Sequence, residues 1–371
     1  MATQTSPLKT EEFLINMGPQ HPSTHGVLRL ILAMDGEKVV KIQPDIGYLH
    51  RSCEKIAENR TYAQFLEITD RMDYLAAMSG NMGLAYAVER LMGIEIPESA
   101  DYKRIIILEL QRIASHLIWF GTFCLDMGAV TPFLYAFRER EKILDLFEEI
   151  CGARLTYSYI RIGGLSHDFT EGFLEGIDAF LLQFQDRLKE LDDLMTKNPI
   201  FVRRTKGVGK ISQELARKYA LSGPMLRSTG IQWDLRKDDP YSIYHKFDFD
   251  VPVGIQGDCY DRYNVRLQEM RESVKIIKQA LGKIPQGPFM AKIPKMLKPG
   301  KGEVYARIES PRGEHGVYIV SEGGPRPYRL KVRAPSFCNL SILQEIGVGQ
   351  YLADVVVILG SIDIVLGDVD R

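Results

Sequence analysis

Between about Tyr48 and Ala280, apolar residues recur at three- and four-residue spacing in five long runs. These are Phe65–Met92, Tyr102–Leu125, Pro132–Ile150, Glu171–Leu194 and Asp258–Leu281. That period gathers apolar side chains on one face of a helix. Two stretches, IIILEL and LIWFGTFCL, are apolar on most faces, as expected of helices enclosed by other helices. The centre of the fold is therefore read as a helical bundle. The most hydrophobic region, Ile113–Phe137, is interrupted by His116, Asp126 and Pro132. A spanning helix needs roughly 20 predominantly apolar residues with few charges, so this region is read as buried core. The chain is expected to be soluble, or attached to a membrane only through partners.

Both ends of the chain read differently. EEFLINM and VLRLILAMDGEKVVKIQP form short strands, with a hairpin turn at Asp35-Gly36. GEVYARIES, HGVYIVSEGG and YRLKVRAPSF are strand-like again, and a mostly apolar segment, YLADVVVILGSIDIVLG, precedes the tail GDVDR. The expected class is α+β, mainly α: a central bundle with small peripheral antiparallel sheets. Four regions follow. Residues 1–46 form an N-terminal β region and 47–285 the helical core. Residues 286–302 form a Pro/Gly/Lys-rich surface loop or arm, and 303–371 a C-terminal β/α region completing the core.

Composition narrows the function. At 45% hydrophobic and 26% charged, general disorder is not expected. With 47 basic against 48 acidic side chains, there is no electrostatic case for nucleic acid. The five cysteines are scattered without a CxxC, so neither a disulfide framework nor a cysteine-rich metal site is encoded, and a reducing compartment fits. No G-x-G-x-x-G follows a strand, and GVGKIS has Arg204 where a Walker A loop needs its first glycine. Rossmann and P-loop sites are unsupported. MATQTSPLKTEEF is polar and lacks an apolar core segment, so no secretory signal is visible.

Several polar residues stand at odd addresses. GPQHPSTHG (Gly18–Gly26) sets His21 and His25 four apart, a metal-binding spacing on a helix. Pro19 and Pro22 forbid that helix and make a rigid loop. The loop is either a turn whose histidines satisfy backbone groups or a scaffold-held functional segment. RMDYL places Arg71, Asp73 and Tyr74 inside an apolar helical stretch. They are either surface charges beside a packed tyrosine with a partnered hydroxyl, or chemistry. Asp126 in FCLDMGAV needs a partner if buried; a histidine would serve, and the pairing would raise imidazole basicity. A helix-junction cap near Gly128 and Pro132 is the alternative. Arginines are frequent in short motifs: Arg51, Arg138, Arg140, Arg161 and Arg333. Some are solvated; those among glycines or aromatics suit forked hydrogen bonds to carbonyls or carboxylates inside large assemblies. Proton-transfer residues without a metal or cofactor motif suggest a site shared with another polypeptide.

Taken in order, GPQHPSTHGVLRL, IGYLHRSCEK, NRTYAQ, RMDYL, ELQRIASHLIWFGT, LDMGAVTPF, YAFRERE, YIRIGG, FDVPVG, MRESVKIIKQA, GEVYARIES, YRLKVRAPSF and GDVDR resemble one family. It is the 49-kDa-type (D-type) subunit of respiratory complex I, the proton-pumping NADH:quinone oxidoreductase. The resemblance runs from about residue 13 to the last residue. The family shares the fold of the large subunit of nickel–iron hydrogenases, which hold metal through two CxxC pairs. RMDYL and SIDIVLGDVDR carry neither pair, and a nickel–iron centre needs thiolates; Cys53 alone does not supply them.

The resemblance implies a quinone chamber in place of that metal, facing a smaller subunit with the terminal 4Fe-4S cluster. By motif match, His25 faces the quinone headgroup, Tyr74 bonds the opposite carbonyl, and Asp126 pairs with His25. Arg51 lies near the cluster, and His21 is structural. Quinone is then the substrate and no cofactor is held by this chain alone; NADH and FMN belong to other subunits. The implied partners are the B-type iron–sulfur subunit and the C-type subunit of the peripheral arm, with membrane-arm subunits near the quinone channel. The hetero-oligomer would hold about fourteen subunits, with this chain peripheral on the cytoplasmic side of the bacterial inner membrane. One position departs from the pattern. Many members carry a histidine three residues before the tyrosine of YIRxGG, where this chain has Thr156, so weak pH-dependence of the cluster potential is predicted. A hydrogenase large subunit and a reaction-less scaffold of the same fold are the competing readings.

Overall fold

Alternation in RLILAMD sends Leu30, Leu32 and Met34 to one buried face, as a half-buried strand requires. This strand, β2 (Arg29–Asp35), lies between β1 (Phe13–Met17) and β3 (Lys38–Asp45) in an antiparallel sheet. The turn into β3 passes through Gly36 at φ +58°, a left-handed conformation that suits glycine. The structure, a computed structural model, describes residues 11–371. The start of the N-terminal β region, with most of the polar leader stretch, lies outside the described residues.

The core follows in chain order. Helices α1 (Cys53–Glu58), α2 (Tyr62–Thr69), α3 (Ala77–Met92), α4 (Glu98–Asp126) and α5 (Val130–Cys151) lead to the two-residue strands β4 (Ile160–Arg161) and β5 (Gly164–Leu165). After α6 (Glu171–Met195) come four short helices: α7 (Pro199–Thr205), α8 (Gln213–Lys218), α9 (Pro224–Arg227) and α10 (Leu235–Asp238). The long α11 (Cys259–Leu281) precedes an antiparallel sheet of β6 (Lys301–Ser310), β7 (Gly313–Glu322) and β8 (Arg329–Arg333). The chain ends in α12 (Pro335–Leu340), α13 (Leu343–Ile346), α14 (Leu352–Ile362) and α15 (Leu366–Asp370). The fold is α+β and mainly α, with three small antiparallel sheets. Among the described residues no helix is long and apolar enough to cross a membrane.

Helix α4 is the axis: Ile105, Ile106, Ile107, Leu110, Ile113, Leu117 and Phe120 are all buried, and α5, α11 and α14 pack around it. It also buries charge. Glu109 accepts from Arg112, Arg236, Tyr244 and Ser273, while Arg227 donates to Glu269 and Glu309. Buried ions are tolerated because each finds several partners. The segment before β6 has no helix or strand from residue 282 to 300. It is nevertheless pinned, Leu165 N donating to Phe289 O at 3.0 Å and Ala291 N to Gly163 O at 2.8 Å.

One expectation fails. The run Phe65–Met92 is two helices, broken over residues 70–76, so RMDYL lies in a turn. The cause is tertiary. Asn81 of α3 donates to Leu66 O and to Thr69 Oγ1 at the end of α2, satisfying groups that a helix end leaves free. Gly80 lets α3 approach so closely that a Cβ there would overlap the Thr69 carbonyl oxygen. Gly80→Ala is expected to cost about 1–3 kcal/mol through overpacking. Thermal unfolding checks it, and an unchanged midpoint would contradict this close approach.

Candidate functional site

The proline loop sets His25 rigidly. His21 Nδ1 accepts from Ser23 N at 3.2 Å and caps a single 3-10 turn, Pro22–Thr24. The buried Thr24 donates its hydroxyl to His21 O at 2.7 Å. His25 closes the turn in the left-handed region at φ 53°, a conformation costly for a residue with a side chain and held here by the bonds on either side. Its Nε2 lies 2.6 Å from Asp126 Oδ2. Asp126 is the last residue of α4, so the two expectations for it coincide: it sits at a helix junction and it pairs with histidine. Both side chains are largely shielded from water, at 14% and 11% exposure.

Helix α14 backs this pair. A Cβ on Gly360 would stand 2.8 Å from Asp126 Oδ2 and 3.5 Å from His25 Nε2. Trp119 of α4 fixes that glycine by donating its indole N–H to Gly360 O at 2.8 Å. Seven residues on, Gly367 serves Tyr74 in the same way: a Cβ there would meet Tyr74 Cδ1 at 3.4 Å and overlap Met72 O. One C-terminal segment thus borders both histidine and tyrosine.

Tyr74 lines a cavity of about 400 Å³ with Arg51, Cys53, Leu155 and Thr156. Burial raises its phenol above the ordinary value, against the pull of the Arg312 charge, and its hydroxyl bonds no described residue. Arg51 is exposed on the loop between β3 and α1. That loop is tied down by Asp370, whose carboxylate accepts from Gly47 N at 2.8 Å and Leu49 N at 2.7 Å. Tyr74, Arg51 and Thr156 therefore share one cavity, and His25 and Asp126 form a separate pair across the C-terminal segment.

Beside Tyr74 lies a buried ionic cluster that sequence reasoning missed. Arg312, in the β6–β7 turn, reaches Asp73 at 2.9 Å, Asp363 at 3.1 Å and Ser115 Oγ at 3.1 Å. Burial, with Asp368 and Asp363 alongside, holds Asp73 above the usual carboxylate range against the pull of Arg312. The reading of Asp73 as a surface charge is thus wrong, because Arg312 draws it inward. The available signal was Asp363 and Asp368 inside the apolar run SIDIVLGDVDR, the same logic that singled out Asp126. Among the described residues, no group of three or more His, Cys, Asp or Glu could hold a metal ion.

Comparison with known proteins gives the family. The model of the respiratory-chain NADH dehydrogenase 49-kDa subunit matches residues 126–301 and 295–371. The D-type NADH-quinone oxidoreductase subunit of Bacillus cereus is 55% identical over 364 residues, 98% of this chain and all of that protein. The proteins of the same name from Bacillus thuringiensis and Bacillus anthracis are equally similar over the same span. The chain belongs to the 49-kDa subunit family. It is a subunit of a multisubunit oxidoreductase complex, complex I, with a fold like that of the hydrogenase large subunit. The matches to the Bacillus proteins take in the histidine loop and the Tyr74 turn, which the family model does not reach.

An acid-sensitive group lies beside the ionic cluster. His315 on β7 packs on Gly83 of α3, where a Cβ would stand 2.6 Å from its ring. Burial lowers its pKa to about 4, with Asp73 opposing and Arg333 adding. The unfolded chain therefore binds an extra proton between about pH 4 and 6.5, and stability falls as pH drops through that window, by roughly 3 kcal/mol across it. Unfolding midpoints at pH 7 and pH 5 should differ less in His315→Gln than in the wild type. An equal difference would contradict the assignment.

Proposed function

We propose that this chain supplies the quinone-reducing site of a proton-translocating NADH:quinone oxidoreductase, completed by an adjacent iron–sulfur subunit. The observation that carries the reading is the His25–Asp126 pair at 2.6 Å. A histidine fixed at both loop ends and backed by a carboxylate is built to move a proton.

Turning a quinone into a quinol takes two electrons and two protons, one for each oxygen. The electrons are supplied by the terminal iron–sulfur cluster of the adjacent subunit, while this chain orients the headgroup and delivers protons. With Nε2–H directed at Asp126, Nδ1 of His25 is the atom free to carry a proton to one quinone oxygen. The imidazolium gives up that proton and keeps its bond to Asp126, which fixes the tautomer. Tyr74, kept as a neutral phenol by burial, donates its unpaired O–H toward the other oxygen. Leu49 and Leu155 wall its cavity and suit an apolar ring with polar ends. Arg51 on the same cavity brings positive charge toward the partner's cluster and favours its reduction.

In this reading the B-type iron–sulfur subunit and the C-type subunit flank the chain, which is peripheral on the cytoplasmic face of a bacterial inner membrane. Recharging His25 and Tyr74 then biases conformations in the membrane arm and drives pumping.

The tests use inhibitor-sensitive quinone reduction in assembled complex whose clusters still reduce. His25→Ala and Tyr74→Phe should each lower turnover about 100-fold, the usual size of a general-acid contribution. Gly360→Ala should lower it less, by pushing Asp126 off His25. Near-normal turnover in His25→Ala would make the loop structural and remove the site from this position. Because Thr156 cannot titrate, the adjacent cluster's midpoint potential is expected to change little with pH. A redox titration with a steep slope would refute that.

A further inference from the structure

Eight arginines are buried among the described residues. Seven of them, Arg104, Arg112, Arg227, Arg236, Arg262, Arg266 and Arg312, donate to carboxylates or backbone carbonyls within the chain. Arg140 does not. It sits on α5 with only 6% of its surface exposed, and its Nε has no partner. It joins no ion pair with a described residue.

Nearby carboxylates are already engaged. Glu139 accepts from Arg138 at 2.6 Å and from Lys142 at 2.8 Å, and Glu141 is held by Arg154. What Arg140 has beside it is the Phe137 ring, with 6.0 Å from the guanidinium carbon to the ring centroid. Burial lowers its pKa, against the pull of Tyr157 and Glu141 and with the charge of Arg154 adding to the fall. A buried charge left alone is costly, so a structure this well paired elsewhere is incomplete here.

The surface leading to Arg140 says what completes it. Val130, Phe133, Leu134 and Phe137 follow one another at three- and four-residue spacing along the first half of α5, with Val130 53% and Leu134 58% exposed. An exposed apolar stripe marks an interaction face, and a guanidinium fork at its end matches a planar carboxylate. We propose that a neighbouring subunit of the complex seats an apolar segment on this stripe and places an aspartate or glutamate on Arg140. The carboxylate accepts the free N–H groups, and the flanking apolar residues cover Leu134. This contact depends on membership of the complex and not on the quinone assignment.

The test is made in the whole complex. With Leu134→p-benzoylphenylalanine, light should link this chain to a second subunit through a peptide containing Asp or Glu. Separately, Arg140→Leu complex on native gels at rising salt should shed that partner about tenfold faster than wild type, since removing one member of a buried charge pair acts on dissociation. Arg140→Lys should fall between them. A cross-link confined to this chain, or a linked peptide with no acidic residue, overturns the proposal even if Arg140→Leu fails to assemble. So does an assembled Arg140→Leu complex that keeps its subunits at the wild-type rate, or one that loses only a bound phospholipid.

Discussion

Arg312 is the point on which the arrangement turns. Its guanidinium joins Asp73 in the break between α2 and α3, Asp363 in the break between α14 and α15, and Ser115 on the central helix. Each break is a place where regular structure stops so that a carboxylate can turn inward. Removing one partner of such a buried pair costs about 3–5 kcal/mol, enough to reorder both breaks together. Tyr74 follows Asp73 directly, and Gly360 and Gly367 flank Asp363. The same interaction therefore sets the tyrosine cavity and the wall behind the histidine–aspartate pair.

The dependence explains why some features were legible in the sequence and others were not. Helices α4, α5, α6 and α11 could be read because their apolar period is local and long, and the histidine loop because proline and glycine act within a few residues. Asp126 could be flagged because a carboxylate among bulky apolar groups is conspicuous wherever its partner lies. The break at RMDYL could not be read. Its period continues across the break, and what interrupts it is a guanidinium far along the chain, helped by Asn81 and Gly80. Arg312 itself stands in a polar turn, SPRGEHG, with nothing local to mark it as buried. Family resemblance supplied roles for His25, Tyr74, Asp126 and Arg51 but was silent on the glycines that make room for them.

Those glycines matter because the site is set by close approach. Gly360 leaves no space for a methyl group beside Asp126, and Gly367 none beside Met72. The carboxylate has no room to move toward α14, since the backbone there is already at contact and tied through Trp119. A rigid wall of this kind keeps the His25–Asp126 geometry fixed, as the proposed proton transfer would require.

The distribution of satisfied and unsatisfied groups makes a separate point about completeness. Deep in the core, guanidinia and carboxylates meet so fully that Glu109 alone accepts from Arg112, Arg236, Tyr244 and Ser273. By contrast, the Tyr74 hydroxyl, Arg51 and Arg140 have no hydrogen-bond partner among the described residues. Selection for stability alone would have paired or removed such groups, because a core that accommodates the other buried guanidinia has no shortage of acceptors. These three lie on α5, in the Tyr74 turn and in the loop before α1. Under the proposed function, their partners belong to the other subunits of the complex and to the molecule it reduces.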